Sequence, residues 1–169
     1  MIERYQKSTL LIGPRQTGKS TLISSLSADL SINLADQQTY VEFLRDPGLL
    51  KARAKGFKKI FIDEVQRIPS LLNTVQTLLD EDPRLQFYLT GSSASKLRRG
   101  QANLLPGRIL TYELGPLSVT ELGDQFDLPR LLSLGALPGI FLEADVALAQ
   151  NVLRSYSAVY LREELPAEA

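Results

Sequence analysis

Short apolar runs alternate with amphipathic stretches along the first two thirds of this sequence. An apolar run of about four to eight residues bounded by turn signals is typical of a buried strand, whereas apolar residues at helical spacing indicate a helix. Because runs and stretches alternate and no hairpin signal joins two runs, the pattern predicts parallel βαβ units. We therefore expect an α/β fold, a three-layer αβα sandwich. The five predicted strands are residues 9–12, 31–35, 59–64, 85–90 and 108–114.

Three helices are predicted between these strands. One stretch, residues 39–45, stops at Asp46-Pro47, and another opens at Pro69 and ends at Asp82-Pro83. The earliest follows the first strand, where apolar residues recur at i, i+1, i+4 and i+8 and predict one helical face. The residues of that face are Leu22, Ile23, Leu26 and Leu30.

The pattern changes beyond Gly115-Pro116. Residues 117–165 suggest short helices followed by a longer one that begins near Asp145. We predict a core domain over residues 1–115 and a helical extension over residues 116–169, and we expect the extension to be the start of a longer region. The apolar stripe of the long helix is Val146, Ala149, Val152, Leu153, Tyr156, Val159 and Tyr160, for which core packing is favoured over a partner surface.

Residues 13–20 form G-x-x-x-x-G-K-[ST], the phosphate-binding P-loop, directly behind the first predicted strand. In this loop backbone N–H groups surround the phosphates, the lysine reaches the β- and γ-phosphates, and the hydroxyl ligates Mg²⁺. The motif predicts that Lys19 contacts ATP and that Ser20 holds the metal. A glycine-rich turn that only joins strand to helix is the weaker alternative. Arg15 could touch a phosphate, but at a variable loop position an orientation away from the phosphates is favoured. The expected nucleotide-binding residues are Gly13, Pro14, Arg15, Gln16, Thr17, Gly18, Lys19, Ser20 and Thr21.

An acidic pair, Asp63-Glu64, ends the third predicted strand. A P-loop nucleotidase needs a carboxylate near the Mg²⁺ shell at the end of a neighbouring strand, which is the role predicted for Asp63. The adjacent Glu64 is then the candidate general base, because it can take a proton from the water that attacks the γ-phosphate. A solvated strand end is the alternative interpretation of the pair.

The fourth predicted strand ends in hydroxyl residues, and its end is expected to open on the same crevice. Either Thr90 or Ser92 is a candidate to bond the γ-phosphate or the water, although turn hydroxyls often bond only local backbone. Basic residues follow, namely Lys96, Arg98, Arg99 and Arg108. We favour Arg108 as an arginine finger, with a solvated basic loop as the alternative.

The composition limits the partners and the catalytic groups that this chain can use. Nineteen basic and nineteen acidic residues balance, which argues against nucleic acid or an anionic membrane as the main partner, although the patch around residues 96–99 keeps nucleic acid open. The chain has no cysteine and no histidine, which excludes disulfides and histidine catalysis. The first apolar run is too short for a signal peptide or a membrane span, so a cytoplasmic location is expected.

These motifs together resemble a known family, the prokaryotic AAA-type P-loop ATPases of the archaeal ATPase and STAND-like group. Its members carry an N-terminal AAA domain and a C-terminal domain of unknown function, and the chain resembles the former. The resemblance implies a sheet of order 5-1-4-3-2. Besides the P-loop, it is carried by residues 62–69 (IDEVQRIP), 89–93 (LTGSS), 104–108 (LLPGR), 113–118 (ELGPLS) and 160–164 (YLREE).

The resemblance also implies roles for individual residues. Lys19 and Ser20 match the Walker A motif of the family, and Asp63 and Glu64 match its Walker B motif. It supports Thr90 or Ser92 as the sensor region and Arg108 as the Gly-Arg position. Members of the family are usually much longer than this chain.

Two functions fit these observations. The first is Mg²⁺-dependent ATP hydrolysis, with self-association or a partner supplying or receiving an arginine. The second is a nucleotide-gated switch that binds ATP, hydrolyses little and signals to a partner. A kinase is less favoured because Glu64 beside Asp63 suits water as the acceptor, and a GTPase because no N-K-x-D motif is present.

Overall fold

The computed structural model describes residues 7–92, Leu97 and residues 105–163. The chain divides into two compact units. The first runs to Gly13 and continues over Lys19–Glu113, and the second takes in Pro14–Gly18 and the chain from Leu114 onward. The tip of the P-loop is thus grouped with the second unit, while its flanking residues are part of the first.

The first unit is built on a five-stranded parallel sheet of order β2-β3-β4-β1-β5. Read from the other edge, this is the predicted order 5-1-4-3-2, and the predicted α/β P-loop fold of the αβα type is confirmed. The strands are β1 Ser8–Ile12, β2 Leu30–Asn33, β3 Lys59–Asp63, β4 Gln86–Gly91 and β5 Ile109–Glu113.

Apolar side chains of β3 and β4 form the centre of the core. Ile60, Ile62, Phe87 and Leu89 have no exposed surface, as expected for central strands of a parallel sheet covered on both faces. Helices pack their apolar faces against this core, which is the main source of their stability. The helices of the first unit are α1 Lys19–Ser24, α2 Gln37–Arg45, α3 Leu49–Ala54 and α4 Leu71–Glu81.

Helix α1 is shorter than the apolar spacing predicts. It ends at Ser24, Leu26 lies in the following turn, and Leu30 begins β2. Ser27 has a left-handed backbone (φ 51°), which a continuing right-handed helix does not allow. The i+4 and i+8 matches were therefore a coincidence of a helix, a turn and a strand, and of the four residues only Ile23 is fully buried.

Helix α2 begins where its capping residue predicts. Asp36 accepts a hydrogen bond from the Thr39 backbone N–H at 2.8 Å, and this bond lowers the pKa of Asp36. Helix α3 was not predicted, because its six residues span less than two turns and leave no measurable period.

The second unit has its own small core. Leu134, Leu137, Ile140 and Ala149 are buried together, and Tyr156 packs against them. Val146 and Val159, which were predicted to share the apolar stripe, are each 49% exposed. No described helix is long and apolar enough to cross a membrane. The helices are α5 Val119–Leu122, α6 Leu128–Leu134, α7 Pro138–Phe141 and α8 Val146–Glu163.

Candidate functional site

The candidate site lies where three neighbouring strands of the first unit end. Ile12 of β1 pairs with Gly91 of β4, and Asp63, the last residue of β3, pairs with Asn33 of β2. Because all strands are parallel, their carboxyl ends share one edge of the sheet. The Gly13 N–H donates to the Gly91 carbonyl at 3.2 Å, which fixes the start of the P-loop against the end of β4.

Asp63 is the centre of a hydrogen-bonded cluster at this edge. The Ser20 hydroxyl donates to Asp63 Oδ1 at 2.9 Å, and the Thr90 hydroxyl donates to the same oxygen. Thr90 is fully buried and also accepts from the Glu64 backbone N–H at 3.2 Å. One buried threonine thus holds both residues of the acidic pair, one by its carboxylate and one by its backbone.

The backbone turns sharply at Glu64, the residue directly after β3. Its backbone is left-handed (φ 58°, ψ 43°), a conformation that costs energy for a residue with a side chain. It precedes a 3₁₀ turn, Val65–Arg67, and the Arg67 N–H donates back to the Glu64 carbonyl at 2.9 Å. This turn directs the Glu64 side chain toward Gln66, which donates a hydrogen bond to Glu64 Oε2.

The sequence did not predict a role for Gln66, a buried residue that joins this cluster. Its Nε2 donates to the Ser92 hydroxyl at 2.8 Å as well as to Glu64, and its Oε1 accepts from the Ser92 N–H at 3.3 Å. The available signal was its place inside the family-like segment IDEVQRIP, two residues after the acidic pair. Ser92 therefore approaches Glu64 through Gln66.

Lys19 is 5% exposed, and its ammonium donates to the Gly13 carbonyl at 2.8 Å. A buried ammonium needs such partners, because an unpaired charge away from water is costly. The bond holds the lysine head at the first residue of the P-loop. Lys19 and Gly13 belong to the first unit, as do Ser20 and Asp63.

The tip of the P-loop, Pro14–Gly18, is described within the second unit. Gly18 has φ +90°, a conformation in which a side chain is strained, and Gln16 is left-handed (φ 64°). The Thr17 hydroxyl donates to the Pro14 carbonyl at 2.9 Å. The Arg15 carbonyl accepts from the Tyr156 hydroxyl at 3.4 Å, and the Tyr156 ring stacks on Tyr160.

Of the other predicted residues, one is exposed and several lie outside the part of the chain that the structure describes. Thr21, the last predicted nucleotide-binding residue, is exposed on α1. The basic candidates Lys96, Arg98 and Arg99 fall outside the described residues.

The role of Arg108 as an arginine finger stays a prediction, and within its own chain Arg108 lies away from this edge of the sheet. Ile109, the next residue, pairs with Ser8 at the beginning of β1, so Arg108 lies at the opposite edge of the sheet, roughly 16 Å along the strand from the level of Ile12. Its guanidinium donates to both carboxylate oxygens of Asp80 on α4, at 2.7 and 3.1 Å. These two hydrogen bonds lower the pKa of Asp80 and raise the pKa of Arg108.

Arg108→Ala is expected to cause a small loss of thermal stability that depends on pH. The pKa of Asp80 in the fold is depressed below 3.8, so the ion pair stabilises the fold above pH 3.8 and loses this effect as pH falls through the lower folded value. Melting temperatures of wild type and variant across pH should therefore converge in acid. A gap that persists below the folded pKa of Asp80 would contradict this.

The same variant distinguishes a structural role of Arg108, the ion pair with Asp80, from a catalytic role as an arginine finger. Asp80→Asn added to Arg108→Ala should cost little more, because the pair is already broken. A turnover loss of about 10³, the scale of an arginine finger, would instead show that Arg108 acts on a nucleotide held by another copy.

Comparison with known proteins gives matches over most of the chain. A family model described as an AAA domain matches residues 5–123. The uncharacterized protein Mb2031c of Mycobacterium bovis and the uncharacterized protein Rv2008c of Mycobacterium tuberculosis are each 34% identical over 135 residues, or 78% of this chain. The matched region is 30% of each relative, so the chain spans less than a third of their length.

Among solved structures, the chain is similar to the crystal structure of a DNA replication initiation factor. The TM-score is 0.44 at 16% identity, and the similarity covers 95% of this chain and 56% of that one.

Proposed function

The chain belongs to the AAA domain family, a family of nucleotide-binding P-loop proteins, and from this premise we propose that it binds ATP with Mg²⁺ and hydrolyses it. The observation that carries the proposal is the cluster at the carboxyl edge of the sheet. Ser20, Asp63, Thr90 and Glu64 are joined there by direct hydrogen bonds, next to Lys19 and the start of the P-loop. These are the side chains that a hydrolytic P-loop site requires.

Phosphate binding is assigned to the P-loop and Lys19. In a loop of this sequence, backbone N–H groups hold the α- and β-phosphates and the lysine reaches the β- and γ-phosphates. The left-handed Gln16 and Gly18 support this assignment, because alternation of backbone handedness turns successive N–H groups to one side. Lys19 would exchange the Gly13 carbonyl for phosphate oxygens.

The residues fit a magnesium ion. Mg²⁺ prefers oxygen ligands and is commonly bound by one or two protein oxygens, with phosphate oxygens and water completing the shell. Ser20 Oγ and Asp63 Oδ1 are 2.9 Å apart and supply two such oxygens. Bound there, the ion would neutralise charge on the β- and γ-phosphates.

Glu64 is the proposed general base. Its carboxylate would take one proton from a water molecule while the water oxygen attacks the γ-phosphorus and ADP leaves. Asp63 is unsuited to this role, because its carboxylate is engaged by Ser20 and Thr90. Thr90 is proposed to hold the acidic pair, and Ser92 is the hydroxyl proposed to face the water or the γ-phosphate.

A nucleotide-gated switch is a second candidate, and one observation favours it. The two groups proposed to act on ATP are both engaged by protein partners, Lys19 by the Gly13 carbonyl and Glu64 by Gln66. Slow turnover would follow if these bonds must break first. Rates measured over a range of protein concentrations separate the candidates, since an arginine supplied by a second copy makes turnover rise with concentration.

The proposed function predicts a magnesium-dependent ATPase with a defined metal residue. Phosphate release should require Mg²⁺ and stop in excess chelator. Asp63→Asn should raise the Mg²⁺ concentration needed for half-maximal turnover by about tenfold or more, because one anionic oxygen is lost. Asp124→Asn, at an exposed position in the second unit, is the matched control. Turnover that is insensitive to chelator would refute the metal assignment.

A further inference from the structure

The geometry points to Gln66 as a positioning residue that links the Glu64 carboxylate to the end of β4. The inference rests on the proposed hydrolysis and deepens it, because it adds a residue that decides where the base points. Gln66 does not need to touch ATP or water for this role. It acts through Glu64 on one side and through Ser92 on the other.

The Gln66 carboxamide is held in one orientation. Its Nε2 donates to Glu64 Oε2 and to the Ser92 hydroxyl, and its Oε1 accepts from the Ser92 backbone N–H. A flipped amide would face the Glu64 carboxylate with a second acceptor and the Ser92 N–H with a second donor. Gln66 and Ser92 are only 9% and 8% exposed, so water cannot easily replace these bonds.

Gly91 provides independent support for this link. A Cβ at Gly91 would lie 3.1 Å from Gln66 Oε1, closer than ordinary van der Waals contact. The backbone of Gly91 is not left-handed, so the glycine is explained by this approach rather than by its conformation. The strand end is therefore shaped to admit the Gln66 amide.

Two contacts from the same strand end determine the position of Glu64. Thr90 accepts from the Glu64 backbone N–H, and Ser92 holds the Glu64 side chain through Gln66. These two hydroxyl residues flank Gly91. A shift of this strand end on contact with a γ-phosphate would thus move the backbone and the carboxylate of Glu64 together, and Gln66 is the residue that transmits the shift to the carboxylate.

The test compares turnover with nucleotide affinity. Gln66→Met keeps the length of the side chain and removes its hydrogen bonds, so kcat should fall by about 10-fold to 10²-fold because the base is misdirected. The dissociation constant for ATP should stay within about twofold. Gln38→Met is the matched control, because Gln38 also donates to a glutamate, Glu42, but on the exposed face of α2. An unchanged kcat, or an equal loss of affinity, would overturn the inference.

A second variant tests whether Gln66 and Ser92 act together. Ser92→Ala removes the other partner of Gln66. Part of its effect on kcat should be shared with that of Gln66→Met in the double variant, and the rest reflects the direct role proposed for Ser92. Fully additive effects would show that the two residues act independently and would contradict the link.

A spectroscopic readout keeps this inference separate from the proposed function. The side-chain N–H resonances of Gln66 should shift in Ser92→Ala and in Glu64→Gln, and stay in place in Glu81→Gln. If wild type fails to hydrolyse ATP, the proposed function fails, and these resonances still decide the link. Unmoved Gln66 resonances in both site variants would overturn it.

Discussion

Glu64→Gln is expected to abolish most ATP hydrolysis while leaving ATP binding intact. The change removes the carboxylate that accepts the proton from water and keeps the size of the side chain, so kcat should fall by about 10² or more. The backbone bond from Glu64 to Thr90 does not involve the side chain and is retained. Phosphate release and equilibrium binding of a labelled ATP analogue, measured on the same protein, test both halves of the expectation.

The control for this variant is Glu81→Gln. Glu81 is an exposed glutamate at the end of α4, where it pairs with Lys51 at 2.6 Å. Both variants change the net charge equally, so a general charge effect would appear in both. Wild-type turnover in Glu64→Gln would reject Glu64 as the base, and loss of binding would indicate that the residue supports the nucleotide site instead.

The site could be predicted from sequence to the extent that strand ends determine it. Ser20, Asp63 and Thr90 were expected to meet because each follows or ends an apolar run, and the carboxyl ends of parallel strands converge. Hydrogen bonds between their side chains now support this expectation. The position of a strand end is a local property of the sequence, and it could therefore be predicted.

Gln66 was missed because its role depends on a backbone turn that no residue pattern indicates. A left-handed non-glycine residue is uncommon, and Glu64 adopts this conformation within a network that compensates its cost. This turn brings Gln66 within hydrogen-bonding distance of Ser92. Side-chain contacts that depend on one unusual pair of backbone dihedral angles cannot be predicted from the sequence.

For Arg108, the sequence left open whether a finger would act in its own chain or on another copy. Its position directly before β5 determines the edge of the sheet at which it lies. In a parallel sheet, a residue that precedes a strand lies at the edge opposite the carboxyl ends. Strand direction alone could therefore have excluded a finger acting within the same chain, and the ion pair with Asp80 supplies the local role that the motif did not suggest.

Lys19→Ala is expected to weaken nucleotide binding itself. Charge-assisted hydrogen bonds to phosphate are stronger than neutral ones, and loss of the ammonium should raise the dissociation constant for ATP by about 10-fold to 10²-fold. Because a P-loop lysine reaches the β- and γ-phosphates, the loss should be larger for ATP than for ADP and absent for AMP. Calorimetric or fluorescence titration with the three nucleotides measures this series.

Two variants separate this effect from simple loss of charge or of fold. Lys55→Ala removes an exposed lysine after α3 and should leave all three affinities unchanged. Since Lys19 is buried and bonds Gly13, the melting temperature of Lys19→Ala must be measured as well, and Lys19→Met keeps the packing of the side chain while it removes the charge. Equal weakening of ATP, ADP and AMP would mean that the variant disturbs the loop. Unchanged ATP affinity in both Lys19 variants would argue against the whole site, because no other step of the proposed mechanism can proceed without bound phosphates.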